Sequence, residues 1–268
     1  MKMVNYHFLN WEVLQMKRFM KKSLSIALLS ALLLLPVMQV NAAEVSSGLS
    51  ANAISEMRKA GMSEQDIEKV NQHFQEEIEL IESGALDEKA KADQQLISAA
   101  AKKGTLGELG IHAANHFQTY ALAASTLGTY GDILVAYNAS SWGIDFGYPG
   151  HAAIVANGNI KTVEAFPADG VQLHTNDWGS RTKVYAMSVK GATGSQYSAA
   201  ATYAQNQVGK PYNWIFINPW REDAFYCSQL VWKAWKTQGI DVDYITIDPI
   251  VTPMEIAKSG NTIIYYSN

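Results

Sequence analysis

Three side chains in this sequence have the types and placement for nucleophilic catalysis. Cys227 is the only cysteine, and it stands where a helix should begin: Leu230, Val231, Ala234 and Trp235 recur at helical spacing, and Gly239 lies beyond the expected end near Thr237. A helix start offers unpaired N–H groups and the positive end of the macrodipole, which favour the thiolate, the nucleophilic form of cysteine. The competing reading is a small core residue, since free cysteine is often buried. His151 and Glu164 flank Asn157-Gly158, a hairpin signal that predicts a two-residue type I′ turn. In that register paired positions sum to 315, so Ala156 faces Asn159 and His151 faces Glu164. Directly opposed residues share one sheet face with Cβ atoms ~4.5–5.5 Å apart. An imidazole beside a carboxylate supplies a base and its orienter; Cys227 would be the third member, but it lies 227 − 151 = 76 residues beyond His151, and spacing alone does not bring the two together. Asp132, Asp145, Asn157 and Asp177 are the other candidates for the orienting role. His112 and His116, four apart, could bind zinc, but Ala113 stands where a zinc peptidase has its glutamate, and the pair also suits an ordinary interface.

The elements that must position these groups follow from local pattern. Strands are expected at 133–137, 151–156, 160–166, 183–189 and 262–266, and helices at about 195–208, 227–237 and 253–259, the last with Pro253 at its start. Strands with separate helices and no regular β-α alternation read as an α+β fold with a mainly antiparallel sheet. Upstream, residues 50–104 are rich in helix formers and charge. Ser63 is placed to cap a helix whose stripe is Ile67, Val70, Phe74, Ile78 and Ile81, ended by Gly84. Shorter helices are expected at about 51–60 and 87–102, and Glu76, Glu77, Glu79 and Glu82 read as the solvated face. The stripe needs a partner, so these helices should dock on the main domain as a brace or lid; a pro-segment is the weaker alternative. Trp142, Phe146, Tyr148, Trp178, Trp214, Phe216 and Trp220 suit either a cleft or core packing. The loop 138–149 before His151 is expected to shape the pocket.

Composition bounds the function. With 268 residues, 48% hydrophobic and 17% charged, the chain can build one sizeable core plus an accessory segment. A net charge of −4 without a basic run in the C-terminal half argues against nucleic acid as a partner. Lys17, Arg18, Lys21 and Lys22 precede an apolar run from Leu24 to Leu35, then Pro36 and the small-residue pattern Val40-Asn41-Ala42. This reads as a secretory signal cleaved after Ala42, too short for the ~20 apolar residues of a membrane span, so no stable span is expected after its removal. Residues 1–15 fit no part of that signal, which points to Met16 or Met20 as the start. The expected organisation is therefore 1–42 upstream residues and signal, 43–104 helical accessory segment and 105–268 catalytic domain, in a secreted or cell-envelope protein. A lone cysteine in an exported chain has no internal disulfide partner and is either buried or kept for reactivity.

Residues 130–268 resemble the NlpC-type papain-like cysteine hydrolases, in their circularly permuted YiiX/YebB-like branch. The resemblance rests on Gly131-Asp132-Ile133-Leu134, Gly150-His151-Ala152-Ala153-Ile154-Val155 and Tyr226-Cys227-Ser228-Gln229-Leu230-Val231-Trp232. The cysteine helix follows the histidine strand here, as the permuted order requires. The resemblance implies a permuted papain-like fold whose sheet packs on the cysteine helix. It implies catalysis by Cys227, His151 and Glu164 through a thioester acyl-enzyme, with no metal or cofactor. Tyr212, in the lead-in Gly209-Lys210-Pro211-Tyr212-Asn213-Trp214, matches a site-lining tyrosine and is the substrate or oxyanion candidate. Two departures stand out: Gln229 occupies a position that is often acidic in the branch, and the 50–104 helices have no counterpart in the core fold. For an exported member the implied substrates are cell-wall peptides, with acyl-lipid or N-acyl substrates, acyl transfer, or a non-catalytic wall-binding module as alternatives.

Overall fold

The computed structural model describes residues 48–112, 126–137 and 150–268. The expected signal peptide, His116, and the 138–149 loop with Trp142, Asp145, Phe146 and Tyr148 lie outside the described residues. Six antiparallel strands form one sheet in the order β4-β3-β2-β1-β5-β6: β1 Ile133–Ala136, β2 His151–Val155, β3 Lys161–Phe166, β4 Gly170–Thr175, β5 Val184–Val189 and β6 Thr262–Ser267. The helices are α1 Ala51–Lys59, α2 Glu64–Glu82, α3 Ala85–Lys103, α4 Gly194–Gln205, α5 Cys227–Lys236 and α6 Pro253–Lys258. Among the described residues no helix is long and apolar enough to cross a membrane.

Both faces of the sheet are covered, which is why β1, β2 and β5 read as continuous apolar runs rather than as alternating ones. Ile133, Val135, Ala152, Ile154, Val163 and Ala165 join the cluster that holds α5. Leu134, Ala136, Ala153, Val155 and Ala186 join a second cluster with Trp178, Ile97 and Ala100. Helix α5 packs on β2 and β3 and is buried from Cys227 to Trp235, more completely than its apolar stripe alone required.

The accessory helices do dock. In α2, Ile67, Val70 and Phe74 are buried in the α5 cluster, with Phe74 edge-on to Phe216 at 5.7 Å, and Ile78 and Ile81 are half-buried. Burying such side chains is worth about 1.5–3 kcal/mol each. Helix α3 closes the β6 edge: Lys89 Nζ donates to the Thr262 carbonyl (2.9 Å), Gln94 Nε2 to that of Tyr265 (2.7 Å), and Asp93 accepts from the Ile264 N–H (2.9 Å). Unpaired strand groups are thereby withdrawn from edge-to-edge association. One expectation about this segment is corrected. Glu77 is 4% exposed and not part of a solvated face, because the α2 turn that carries it is pressed against α6 near Glu255.

The hairpin also differs from expectation. The observed pairs are Ile154 with Val163 and Val155 with Thr162, and the Ala156 N–H donates to the Lys161 carbonyl, so the loop is the four residues 157–160. The left-handed pair is Gly158 (φ 94°) and Asn159 (φ 68°), one position later than a type I′ turn at Asn157-Gly158 needs. Long-range bonds account for the shift. Asn157 is drawn onto α4 by its N–H to Gln205 (3.0 Å) and its carboxamide to Thr202 (3.1 Å), while Asn159 accepts from the Tyr130 N–H (2.7 Å). Continued along the strands, this register sets Phe166 opposite His151 and makes Glu164 a diagonal neighbour. A slip of two keeps every side chain on its face.

Candidate active site

His151 is the first residue of β2, and the chain before it leaves no room for variation. A Cβ on Gly150 would lie 2.8 Å from the Ala136 carbonyl oxygen and 2.9 Å from Met254 Cε. At the far end of the β1–β2 pair, Gly131 has φ 83° and a Cβ there would meet the Tyr197 carbonyl at 2.6 Å. Asp132 beside it accepts from the Thr129 N–H (2.7 Å) and the Tyr265 hydroxyl (2.8 Å). The Gly131-Asp132 motif therefore sets the turn into β1 and does no chemistry at His151.

Glu164 is the carboxylate that reaches the imidazole. His151 Nε2 and Glu164 Oε2 are 2.8 Å apart, and both side chains are fully buried. Glu164 Oε1 accepts from Trp178 Nε1 (3.1 Å) and from the Thr162 hydroxyl. Burial alone would push the Glu164 carboxyl up. The bond and charge of His151, then the charge of Arg181 and the Thr162 hydroxyl, outweigh burial and hold it down at about 2. The His151 ring is further stacked between Phe166 (centroids 4.4 Å apart) and Trp178 (5.9 Å). The other candidate orienters are engaged elsewhere: Asp132 at its turn, Asn157 on α4, and Asp177 in a 2.6 Å pair with Arg181.

Cys227 is the first residue of α5, after the N-cap Tyr226, so its N–H is among those a helix leaves without an internal acceptor. It is 1% exposed. Burial opposes a charged imidazole at His151, but Cys227 first and Glu164 second overcome it and raise the pKa to about 9. His151 Nδ1 has no partner within hydrogen-bonding geometry. With Nε2 held by Glu164, Nδ1 is the ring nitrogen left for the thiol that raises His151. Tyr212 is buried beside this centre, bridged to Phe225 and edge-on to Trp214 at 5.0 Å. Its hydroxyl is pushed well above the ordinary range by burial and by Cys227, so it stays a proton donor.

Gln229 has a definite task. Its Oε1 accepts from the Tyr226 N–H (3.1 Å) and from Asn213 Nδ2 (2.9 Å), and its Nε2 donates to the Pro219 and Arg221 carbonyls (both 3.0 Å). The two donated bonds need an amide, which accounts for a glutamine at this position. His112 bonds the Ala192 carbonyl through Nε2 and meets the Tyr197 ring edge-on at 5.9 Å, a packing role. Trp178, Thr162 and Arg181 are the site residues that sequence reasoning missed. Thr162, two positions before Glu164 on the same strand face, was within reach of a period-two argument; Trp178 was visible only as one of many aromatics.

A family described as permuted papain-like amidase enzyme, YaeF/YiiX, C92 family, matches residues 130–253. The fold is permuted papain-like. The family's description is that of an amidase enzyme, and α1 to α3 lie before the matched segment. A stretch of 90 residues is 37% identical to the uncharacterized protein YycO of Bacillus subtilis (strain 168), covering 31% of this chain and 36% of that protein. The chain thus spans about a third of the length of the curated relative it matches. No solved structure matches the chain.

Proposed function

We propose that this protein is an exported cysteine amidase of the NlpC-like, YiiX-type branch that cleaves amide bonds of cell-wall peptides. The observation that carries the reading is the buried 2.8 Å contact of His151 with Glu164, on a ring whose other nitrogen is left for the Cys227 thiol. Nδ1 takes the thiol proton to give a thiolate and an imidazolium, and Glu164 holds the ring and balances its charge. The thiolate attacks the carbonyl carbon, and the oxyanion takes the Cys227 N–H, with the Tyr212 hydroxyl as second donor. His151 returns the proton to the leaving nitrogen as the C–N bond breaks, leaving a thioester on Cys227. Water, deprotonated by His151, then attacks the thioester; the thiol leaves and the acid is released. The chemistry uses these residues alone and requires no metal or cofactor.

The cell-wall assignment rests on the expected signal at 17–42, which would bring the mature domain into contact with peptide cross-links. Incubating the purified mature protein in parallel with murein peptides and with N-acyl lipids tests it, with products resolved by mass spectrometry. New amine and carboxylate ends on the murein peptides, absent in Cys227→Ser, are expected. Release of fatty acid alone would move the substrate to acyl-lipids, and no turnover of either would favour a wall-binding module.

A further inference from the structure

A second cluster of chemically capable side chains lies between the accessory helices and the catalytic domain. His73 and Glu77 on α2 and Glu255 on α6 bring one imidazole nitrogen and two carboxylate oxygens within 4.8 Å of one another. The i, i+4 spacing puts His73 and Glu77 on one face of α2. That face is turned inward: Glu77 is 4% exposed and Glu255 1%. Among the described residues neither acid has a lysine or arginine partner, and the one ion pair between the three is His73 Nε2 to Glu255 Oε1 at 3.4 Å. Glu77 Oε2 is buried without a hydrogen-bond partner, and His73 Nε2 and Glu255 Oε1, also buried, have only their mutual 3.4 Å contact, which lacks hydrogen-bond geometry.

The other oxygen of Glu255, Oε2, accepts the Thr252 N–H at 2.9 Å as part of the α6 capping box. A buried carboxylate left unpaired is costly, and two facing each other more so. A divalent cation would satisfy all three inward atoms together.

We propose that His73, Glu77 and Glu255 form a divalent transition-metal site, with zinc as its ion, that fastens helix α2 to helix α6. One imidazole and two carboxylates is a donor set that zinc accepts, with water in the fourth position, whereas calcium and magnesium prefer oxygen alone. The donor atoms must close by about an ångström to reach zinc bonds of ~2.0–2.2 Å. Access exists, because a shallow groove lined by Lys69, Gln72, His73, Glu76, Asp248 and Ile250 opens at His73. The ion takes no part in the Cys227 chemistry. Pro253 and Met254 of α6 lie against the position of Gly150, next to His151, so fastening α6 steadies the wall from which His151 projects.

The test uses the mature protein with Cys227→Ser as the background, so that the thiol cannot itself bind metal. After chelation and dialysis, titration with zinc should load one equivalent by elemental analysis, and cobalt should give the visible absorption of a low-coordinate site that zinc displaces. At a hundredfold excess over its Kd, zinc should raise Tm by about 5–10 °C. His73→Gln and Glu77→Gln should each weaken binding by about a hundredfold or more and abolish the Tm rise, while circular dichroism shows them folded. Absence of stoichiometric binding, or binding and Tm rise undiminished in both variants, would overturn the proposal.

Discussion

Glu164→Gln keeps the shape of the side chain and removes its charge, and the surrounding bonds allow the consequence to be worked out. The carboxylate accepts from His151 on one oxygen and from Trp178 and Thr162 on the other. A carboxamide has a single acceptor oxygen. If that oxygen faces His151, the amide N–H groups meet the Trp178 N–H, donor against donor, at a cost of about 1–3 kcal/mol in stability. If the amide nitrogen faces His151 instead, Nε2 must accept, and the imidazole proton moves to Nδ1, the nitrogen that has to receive the thiol proton. The imidazolium loses its carboxylate partner in both cases, for a neutral carbonyl oxygen in the first and for no acceptor in the second, a loss of about 2 kcal/mol or more. At 1.36 kcal/mol per pKa unit this lowers the His151 pKa by about 1.5, from about 9 to near 7.5. The assay is the pH dependence of iodoacetamide alkylation, which reads the thiolate without a substrate and is unambiguous because Cys227 is the only cysteine. Access to the buried thiol is common to both proteins, so the shape of the profile is compared rather than the absolute rate. The wild-type profile should show an inflection near 9, where His151 gives up its second proton. In Glu164→Gln that inflection should fall toward 7.5 and kcat/KM should drop about 30-fold. Superimposable profiles would refute the orienting role.

Gln229→Glu should destabilise the fold by roughly 2–6 kcal/mol, because the Pro219 and Arg221 carbonyls both lose their donor; an unchanged urea midpoint would contradict this. Phe74→Ala should cost about 3–5 kcal/mol in one cooperative transition shared by helices and sheet; two separate transitions would show the accessory helices to be independent. The His151–Glu164 pair should also shape stability against pH. His151 is raised from 6.5 to about 9, so its contribution is complete below 6.5 and lost as pH rises through 9. Glu164 is lowered from 4.5 to about 2, so its contribution is complete above 4.5 and lost as pH falls through 2. Urea midpoints should show the alkaline loss in wild type and a smaller loss, shifted to lower pH, in Glu164→Ala, where Cys227 alone raises His151.

Local pattern carried much of this far. The α5 stripe, the Ser63 cap, which accepts from the Asp66 N–H at 3.2 Å, and five of the six strands follow from spacing that short-range physics enforces. Strand β4 escaped because Gln172 and His174 alternate with Val171 and Leu173 in a stretch too short and polar to stand out. The pairing of His151 with Glu164 was reached through a turn that does not form. The conclusion survived because the four-residue loop slips the register by two, and strand faces repeat with that period. What set the loop, the grip of Thr202 and Gln205 on Asn157, is a contact across more than forty residues that no local rule contains. Glu77 and Trp178 fail to show for the same reason: a glutamate on a charged helix and one tryptophan among several acquire their roles only when Glu255 and Glu164 arrive beside them.

The central claim is that Cys227 forms a covalent thioester during amide cleavage. Rapid acid quenching of the mature enzyme with an activated acyl-peptide, followed by intact-mass measurement and peptide mapping, tests it directly. The account predicts a transient mass increase equal to the acyl group, located on the peptide containing Cys227, decaying at the turnover rate and absent in Cys227→Ala. Turnover preserved in Cys227→Ala, or an acyl group mapped to another residue, would contradict it.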